Sequence, residues 1–241
     1  MTHIIDTHIH LQDFNPDFTP LLLNSPMVKT LVLASASAKD FPLISKLYNT
    51  SPQKIIPAFG FHPWQANSPY DLESLKSYLF STPTSIIGEI GLDGIKTPPT
   101  PNQHQLFSAQ LDIAINSKKS VIIHGAKAFN QLSSYAPKLS LIKYTFHSFT
   151  PNSELLKFLI KTNAYIGLGK TFINHKNSSS MATLLPLDKI LFETDAPYQL
   201  EEQNYLDNAQ TNLQKLSKLL NLTTQELQTI LEKNTMEFTK C

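Results

Sequence analysis

Near its start the chain carries the run His3-Ile4-Ile5-Asp6-Thr7-His8-Ile9-His10. Side chains alternate faces along an extended strand, so Asp6, His8 and His10 are expected on one side of it. Two imidazoles and a carboxylate on one face make half of a metal site. A bare His-x-His pair also occurs in ordinary packed strands, and its meaning depends on the donors elsewhere in the chain. Those donors are Glu89, His124, His147 and Asp195, each at or just beyond the end of an apolar run. Six nitrogen and oxygen donors without a thiolate suit Zn²⁺, Mn²⁺, Co²⁺ or Mg²⁺. Six are more than one open catalytic ion needs, so two ions are expected, with Glu89 as the bridging carboxylate. Such a pair lowers the pKa of a held water and neutralises charge developing on a phosphoryl or carbonyl oxygen, which is the chemistry of hydrolysis. His3, His104 and His175 fall outside the pattern and read as surface or packing residues.

The elements that must position these donors alternate strictly. Apolar, β-branched runs predict strands near Ile4–Ile9, Thr30–Ala34, Ile55–Phe59, Ser85–Glu89, Ser120–His124, Ile142–His147, Ala164–Gly167 and Lys189–Glu193. Helical spacing covers Phe41–Asn49, Asp71–Phe80, Gln103–Asn116, Ala128–Tyr135, Pro151–Lys161 and Ser178–Leu185, and two more helices lie at Asn204–Asn221 and Thr224–Lys233. This order predicts a single-domain (β/α)₈ TIM barrel over residues 1–241 with a C-terminal helical elaboration; an open doubly wound sheet is the alternative. All six donors then fall at C-terminal strand ends, where barrel active sites are built. Asp71 and Asn152 read as helix N-caps, and Thr223 with Glu226 as a capping box. The proline-rich stretch from Thr97 to Pro101 is expected to be a stiff loop, and Asn177 to Ser180 a mobile one.

Composition narrows the function. Hydrophobic residues make up 41% of 241, enough for a sizeable core, yet no run approaches the ~20 apolar residues of a membrane span. The first residues lead straight into a strand with no basic and apolar leader, so a cytoplasmic location is expected. The one cysteine, Cys241, allows neither a disulfide nor a thiolate metal site within the monomer, and nothing demands an oligomer. Formal net charge is +1, and all 20 basic residues are lysines. Without arginine the chain lacks the planar fork that grips phosphate bidentately, so a generic basic nucleic-acid groove is not encoded. Lysines, backbone amides and metal ions remain available to hold phosphate.

Several segments together resemble one known family. Asp6–Leu11 reads D-T-H-I-H-L, Gly60–Pro63 G-F-H-P, Gly88–Asp93 G-E-I-G-L-D, and Gln103–Leu111 Q-x-x-x-F-x-x-Q-L. Val121–His124 reads V-I-I-H, His147–Phe149 H-S-F, and Glu193–Tyr198 E-T-D-A-P-Y. In this order they resemble the TatD-type metal-dependent hydrolases and deoxyribonucleases of the amidohydrolase superfamily. The resemblance implies that His8, His10, Glu89 and Asp195 bind one ion and Glu89, His124 and His147 the other. Asp195 would also orient or deprotonate the attacking water. His62 would stand behind the ligands or touch a substrate phosphate, and Asp6 and Asp93 would fix imidazole tautomers or loop geometry.

The chain departs from the family around the substrate. Ala126 stands where the family has the arginine of H-x-R, with Lys127 one position on. The family's R-N-x-P segment has its nearest counterpart in Asp207-Asn208-Ala209-Gln210, and Thr150-Pro151 displace a glycine after H-S-F. Lys127, Lys170 and Lys96 are the lysines best placed to meet an anionic substrate. The expected function is hydrolysis of a phosphodiester in DNA from a strand end. Hydrolysis of a small ester, lactone or amide is the alternative, favoured by an arginine-free mouth that holds Asp207. A non-catalytic barrel would leave the donors uncompensated. Phe61 and Trp64, beside His62, are open to either base stacking or loop packing.

Overall fold

The computed structural model describes residues 3–95 and 97–240, so Lys96 and Cys241 lie outside the described residues. Eight strands, β1 (Ile4–Ile9), β2 (Val28–Ala34), β3 (Ile55–Phe59), β4 (Ile86–Gly91), β5 (Val121–His124), β6 (Tyr144–Phe146), β7 (Tyr165–Leu168) and β8 (Ile190–Phe192), pair in chain order. Every adjacent pair is parallel. A doubly wound sheet would reverse strand order at a switch point, and none does. Instead the last strand returns to the first. The Thr7 hydroxyl donates to Phe192 O at 2.9 Å, Asp195 N to His8 O at 2.9 Å and His10 N to Ala196 O at 2.8 Å.

The helices are α1 (Phe18–Asn24), α2 (Phe41–Thr50), α3 (Leu72–Ser81), α4 (Pro101–Ser117), α5 (Phe129–Leu132), α6 (Ala136–Leu139), α7 (Ser153–Lys161), α8 (Lys170–Ile173), α9 (Ser178–Ala182), α10 (Tyr205–Leu219) and α11 (Thr224–Thr239). The expected caps form: Asp71 accepts from Glu73 N and Ser74 N, Asn152 from Leu155 N, and Thr223 and Glu226 cap reciprocally. Three expectations fail. Pro101 is not loop but the first residue of α4, with Thr100 as N-cap, because proline's missing N–H costs nothing in a first turn. The serine triplet is not a mobile loop: Ser178 is buried and its hydroxyl meets the carbonyls of Phe172 and His175, turning the segment into α9. The single helix expected over Ala128–Tyr135 is broken into α5 and a 3₁₀ turn, with α6 following it. α1 and α8, seven and four residues long, are too short for periodicity to reveal.

Strand residues divide between two cores by parity. Leu31, Leu33, Ile87, Val121, Ile123, Ile190 and Phe192 face the helices. Val32, Ala34, Ala58, Ile86, Ile122 and Leu191 fill the barrel interior, joined by Tyr165. Burial on both faces explains the near-continuous apolar runs. Helix α11 crosses the N-terminal end of the barrel, and its fully buried Phe238 enters the interior cluster against Tyr165, with ring centroids 5.2 Å apart. Asn234 Nδ2 donates to Leu187 O and Ile190 O at 2.9 and 2.8 Å and fixes the helix to the start of β8.

Lysines knit the same end of the barrel. Lys54 Nζ reaches Leu23 O and Ser25 O, Lys119 Nζ reaches Pro83 O and Ser85 O, and Lys143 Nζ reaches Glu237 O and Lys240 O, all within 2.9 Å. Each stands just before a strand. Phe238→Ala, which would leave a hole where the interior is plugged, is expected to cost about 3–5 kcal/mol. Chemical denaturation followed by circular dichroism measures it, and a loss under about 1 kcal/mol would show that α11 is not the floor of the barrel.

Candidate metal centre

At the opposite end, the inward columns of the strands continue upward into polar residues two positions on. Ile122 leads to His124, Thr145 to His147, and Leu191 to Glu193, all by period 2. Glu89 comes from β4, whose register is irregular between Ile87 and Ile90. Its backbone is fixed by Glu89 N donating to Ser35 O at 2.9 Å, while Ser35 Oγ bridges Gly60 and Gly88. The buried Glu89 carboxylate is the hub. Oε1 lies 2.7 Å from His124 Nδ1, 2.9 Å from His147 Nε2 and 3.9 Å from His62 Nε2. Oε2 lies 3.5 Å from His8 Nε2 and 3.7 Å from His10 Nε2.

Asp195 faces the same two histidines from beyond β8, its Oδ1 3.6 and 3.5 Å from their Nε2 atoms, which are 3.1 Å apart. The donor atoms of His8, His10 and Asp195 therefore form one close group, and His8, Glu89 and His147 and His62, Glu89 and His124 form two more. His62 is thus nearer to Glu89 than a residue behind the ligands, and its Nδ1 accepts from Trp64 N at 3.2 Å. Asp93 Oδ2 meets His124 Nε2 at 2.9 Å, and its Oδ1 accepts from Ile95 N at 2.8 Å to close a turn. His104 pairs with the Tyr135 hydroxyl and His175 with Asn177 N, and neither is among the residues of these three groups.

Charge balance in the cluster reflects burial. Desolvation works against the Glu89 carboxylate, yet His147, His8 and His124 hold it well below the usual range. Asp195 is likewise held down, against desolvation, by His10 and His8. Burial disfavours charge on His147, but Glu89 outweighs it and raises the imidazole to about 10. Burial wins at His8 and His62, which fall to about 4 and about 3. The centre therefore keeps its carboxylates ionised and requires positive charge between them.

Asp6 departs from the alternation expected of β1. The register slips between Asp6 and Ile9, and such a bulge reverses the facing of the residues beyond it. His8 and His10 enter the cluster, while Asp6 turns to the seam between first and last strands. Its Oδ1 accepts from His8 N at 3.1 Å and Thr194 N at 3.0 Å, and its Oδ2 from the Thr194 and Tyr205 hydroxyls. Desolvation, opposed by these hydrogen bonds, raises it to about 6.

Two further residues escaped sequence reasoning. Glu193 accepts from Ser148 N with Oε1, which also lies 3.8 Å from His147 Nδ1. Its complete burial pushes it up to about 8. Gly167 makes this possible, since a Cβ there would lie 2.1 Å from Glu193 Oε2. The period-2 step from Leu191 was the available signal. Gln199 had none: on an irregular loop, its Nε2 donates to Asp195 Oδ2 at 2.7 Å and to Ser148 Oγ at 2.9 Å.

A cavity of about 930 Å³ opens over His124, His147 and Asp195. Lys127 lines it and is exposed; Lys170 is exposed but does not line it. Phe61 is buried among Phe41 and Tyr70 and packs the loop, whereas Trp64 lines the cavity. Asp207 is not at this mouth. The phase of α10 turns it into a separate hollow beside Phe14 and Phe18, so its charge does not bear on the substrate.

A parallel eight-stranded barrel with imidazoles and carboxylates gathered at its C-terminal strand ends defines the class: a TIM barrel with a polar centre of metal-ligand type. The family model for TatD related DNase matches residues 5–240. The uncharacterized metal-dependent hydrolase YcfH of Escherichia coli K12 is 28% identical over 212 residues, 81% of this chain and 78% of that one. The 3'-5' ssDNA/RNA exonuclease TatD of Edwardsiella piscicida is 33% identical over 145 residues, 58% of this chain and 55% of that one. The crystal structure of the Escherichia coli TatD homolog YJJV shares the fold, with a TM-score of 0.86 at 24% identity over 98% of this chain and 97% of that one. The chain belongs to the TatD family of metal-dependent hydrolases. Among the described residues no helix is long and apolar enough to cross a membrane.

Asp6→Ala would strand four buried donors at the strand seam and is expected to cost about 3–5 kcal/mol. Tyr205→Phe, which removes one of them, is expected to cost about 1 kcal/mol. Thermal and urea unfolding of the two variants gives both numbers, and equal losses would refute Asp6 as the seam's hub.

Proposed function

We propose that the protein hydrolyses phosphodiester bonds in nucleic acid, from the end of an unpaired strand, with two divalent ions held by His8, His10, Glu89, His124, His147 and Asp195. One observation carries the ligand assignment. The nitrogen and oxygen atoms of His8, His10, Glu89 and Asp195 lie 3.1 to 3.7 Å apart in each of five pairs. Four donors about 2.1 Å from one ion are separated by roughly 3.4 Å, so these five separations are those expected of side chains that share a cation. Glu89 Oε1, His124 and His147 form the second group, with His62 at its edge. The chemistry of these donors suits Zn²⁺, Mn²⁺, Co²⁺ or Mg²⁺. When bound, such ions lower the pKa of water and neutralise charge on a phosphoryl oxygen.

The chain's own residues complete the reaction. Gln199 holds Asp195 Oδ2 in place, and this oxygen, turned away from His8 and His10, takes the proton of the attacking water. The water oxygen adds to phosphorus, the P–O3′ bond breaks, and O3′ leaves with a proton from solvent. Asp93, on His124 Nε2 at 2.9 Å, orients that imidazole as carboxylate partners do in metal sites, and Glu193 braces the neighbouring Ser148 N. Lys127 offers charge to a substrate phosphate as a point contact, since Ala126 occupies the family's arginine position. The preference for a strand end rests on the relatives named as 3'-5' nucleases. A second reading, hydrolysis of a small ester, lactone or amide, is favoured by one observation: beyond Lys127, the cavity wall at Asn130, Gln131, Asn152 and Thr171 is neutral.

Metal-depleted protein given Mg²⁺, Mn²⁺, Co²⁺ or Zn²⁺ is expected to shorten an end-labelled single strand from one end, and chelator is expected to stop it. Turnover of carbonyl substrates with no strand shortening would establish the second reading. Glu89→Ala should abolish turnover and lower bound metal while circular dichroism stays unchanged, and His175→Ala should leave turnover intact. Full activity of the Glu89 variant would overturn the two-ion site. Gln199→Leu is expected to weaken metal affinity roughly 10- to 100-fold by calorimetry, and unchanged affinity would show that Asp195 needs no such brace.

A further inference from the structure

The rim of the cavity carries two exposed aromatic rings, each packed edge-on against a histidine. Trp64 is 66% exposed, with its ring edge-on to His62 at 4.6 Å and its backbone N donating to His62 Nδ1 at 3.2 Å. Tyr198 is 65% exposed, edge-on to His10 at 5.1 Å, and its hydroxyl donates to Asp13 Oδ2 at 2.9 Å. Exposure alone does not mark a site: Phe80 is 89% exposed and does not line the cavity. What distinguishes Trp64 and Tyr198 is that both rings line the cavity and abut histidines of the metal centre, one on each side. A ring fixed in advance loses little freedom when a ligand stacks on it.

Charge is sparse in the same place. Lys127 is the only lysine among the described residues lining the cavity, while Lys54, Lys119, Lys143 and Lys189 are committed to carbonyls or to the Tyr165 ring at the opposite end of the barrel. The volume of about 930 Å³ is at the upper end of small-ligand sites, room for roughly two or three nucleotides. Resting on the phosphodiester reading above, we propose that this site grips the last two or three nucleotides of an unpaired strand by stacking bases on Trp64 and Tyr198, with one phosphate contact at Lys127 and no grip on the strand beyond. The enzyme acts on short oligonucleotides as readily as on long ones.

Trp64 is the only tryptophan in the chain, so its fluorescence reads stacking directly. A trinucleotide added to the metal-loaded protein should quench it, and a trinucleotide with abasic ends should not. KM should be the same for a trinucleotide and a strand of about twenty nucleotides, and should rise with salt with a log–log slope of about 0.7, one contact's worth. Trp64→Ala should raise KM roughly 5- to 150-fold with kcat little changed, and Trp64→Phe should recover most of the loss. A KM that falls steeply with length, or that ignores Trp64→Ala, overturns the proposal while leaving hydrolysis standing. Quenching without cleavage of any strand overturns the hydrolysis reading and keeps the stacking ledge.

Discussion

A carboxylate taken out of water must be met by donors or by positive charge, and Glu89 is placed where only imidazoles can meet it. Four histidines lie within 3.7 Å of its two oxygens, each from a different position on the rim except the pair that β1 supplies. No one of them could be moved without leaving charge uncompensated at the hub. The barrel below serves this arrangement: small and medium apolar residues fill the interior, and the same inward columns deliver the polar atoms one step higher. The seam held by Asp6 brings the first and last strands together so that His8, His10 and Asp195 face one another. Fold and centre therefore share one junction, that of β1 with β8.

Much of this was legible in the residues. Period and β-branched runs located all eight strands, since a parallel sheet buried on both faces writes itself as short apolar blocks. The donors stood out because polar residues at the ends of such blocks have no packing reason to be there. Asp6 misled because one bulge in β1 reverses parity, and no local signal separates a bulge from a regular strand. Glu193 hid because its burial depends on Gly167, a residue whose contribution is an absent side chain. Gln199 lies on an irregular loop where no period governs direction, and the phase that turns Asp207 away is set by where α10 begins. There, only the path of the chain decides which way a side chain points.

The absence of arginine takes on another meaning once the lysines are located. Several are anchored beneath the strands, where each ammonium satisfies two carbonyls at the ends of neighbouring segments. An ammonium on a flexible stem suits that task, since it has donors in three directions and no planar fork to align. Three of the chain's 20 lysines are thus tied to carbonyls at this end, and among the described residues Lys127 is the one lysine that lines the cavity at the other.

Helix α11 closes the floor of the barrel from the end of the chain opposite to β1, and this orders events during synthesis. All eight strands leave the ribosome before Phe238 does, so the interior between them has no floor until α11 arrives. Up to that moment the inward faces of β2 to β8 are held together only by one another, and a chaperone has apolar surface to recognise. The docking of one late phenylalanine is what closes the interior against water.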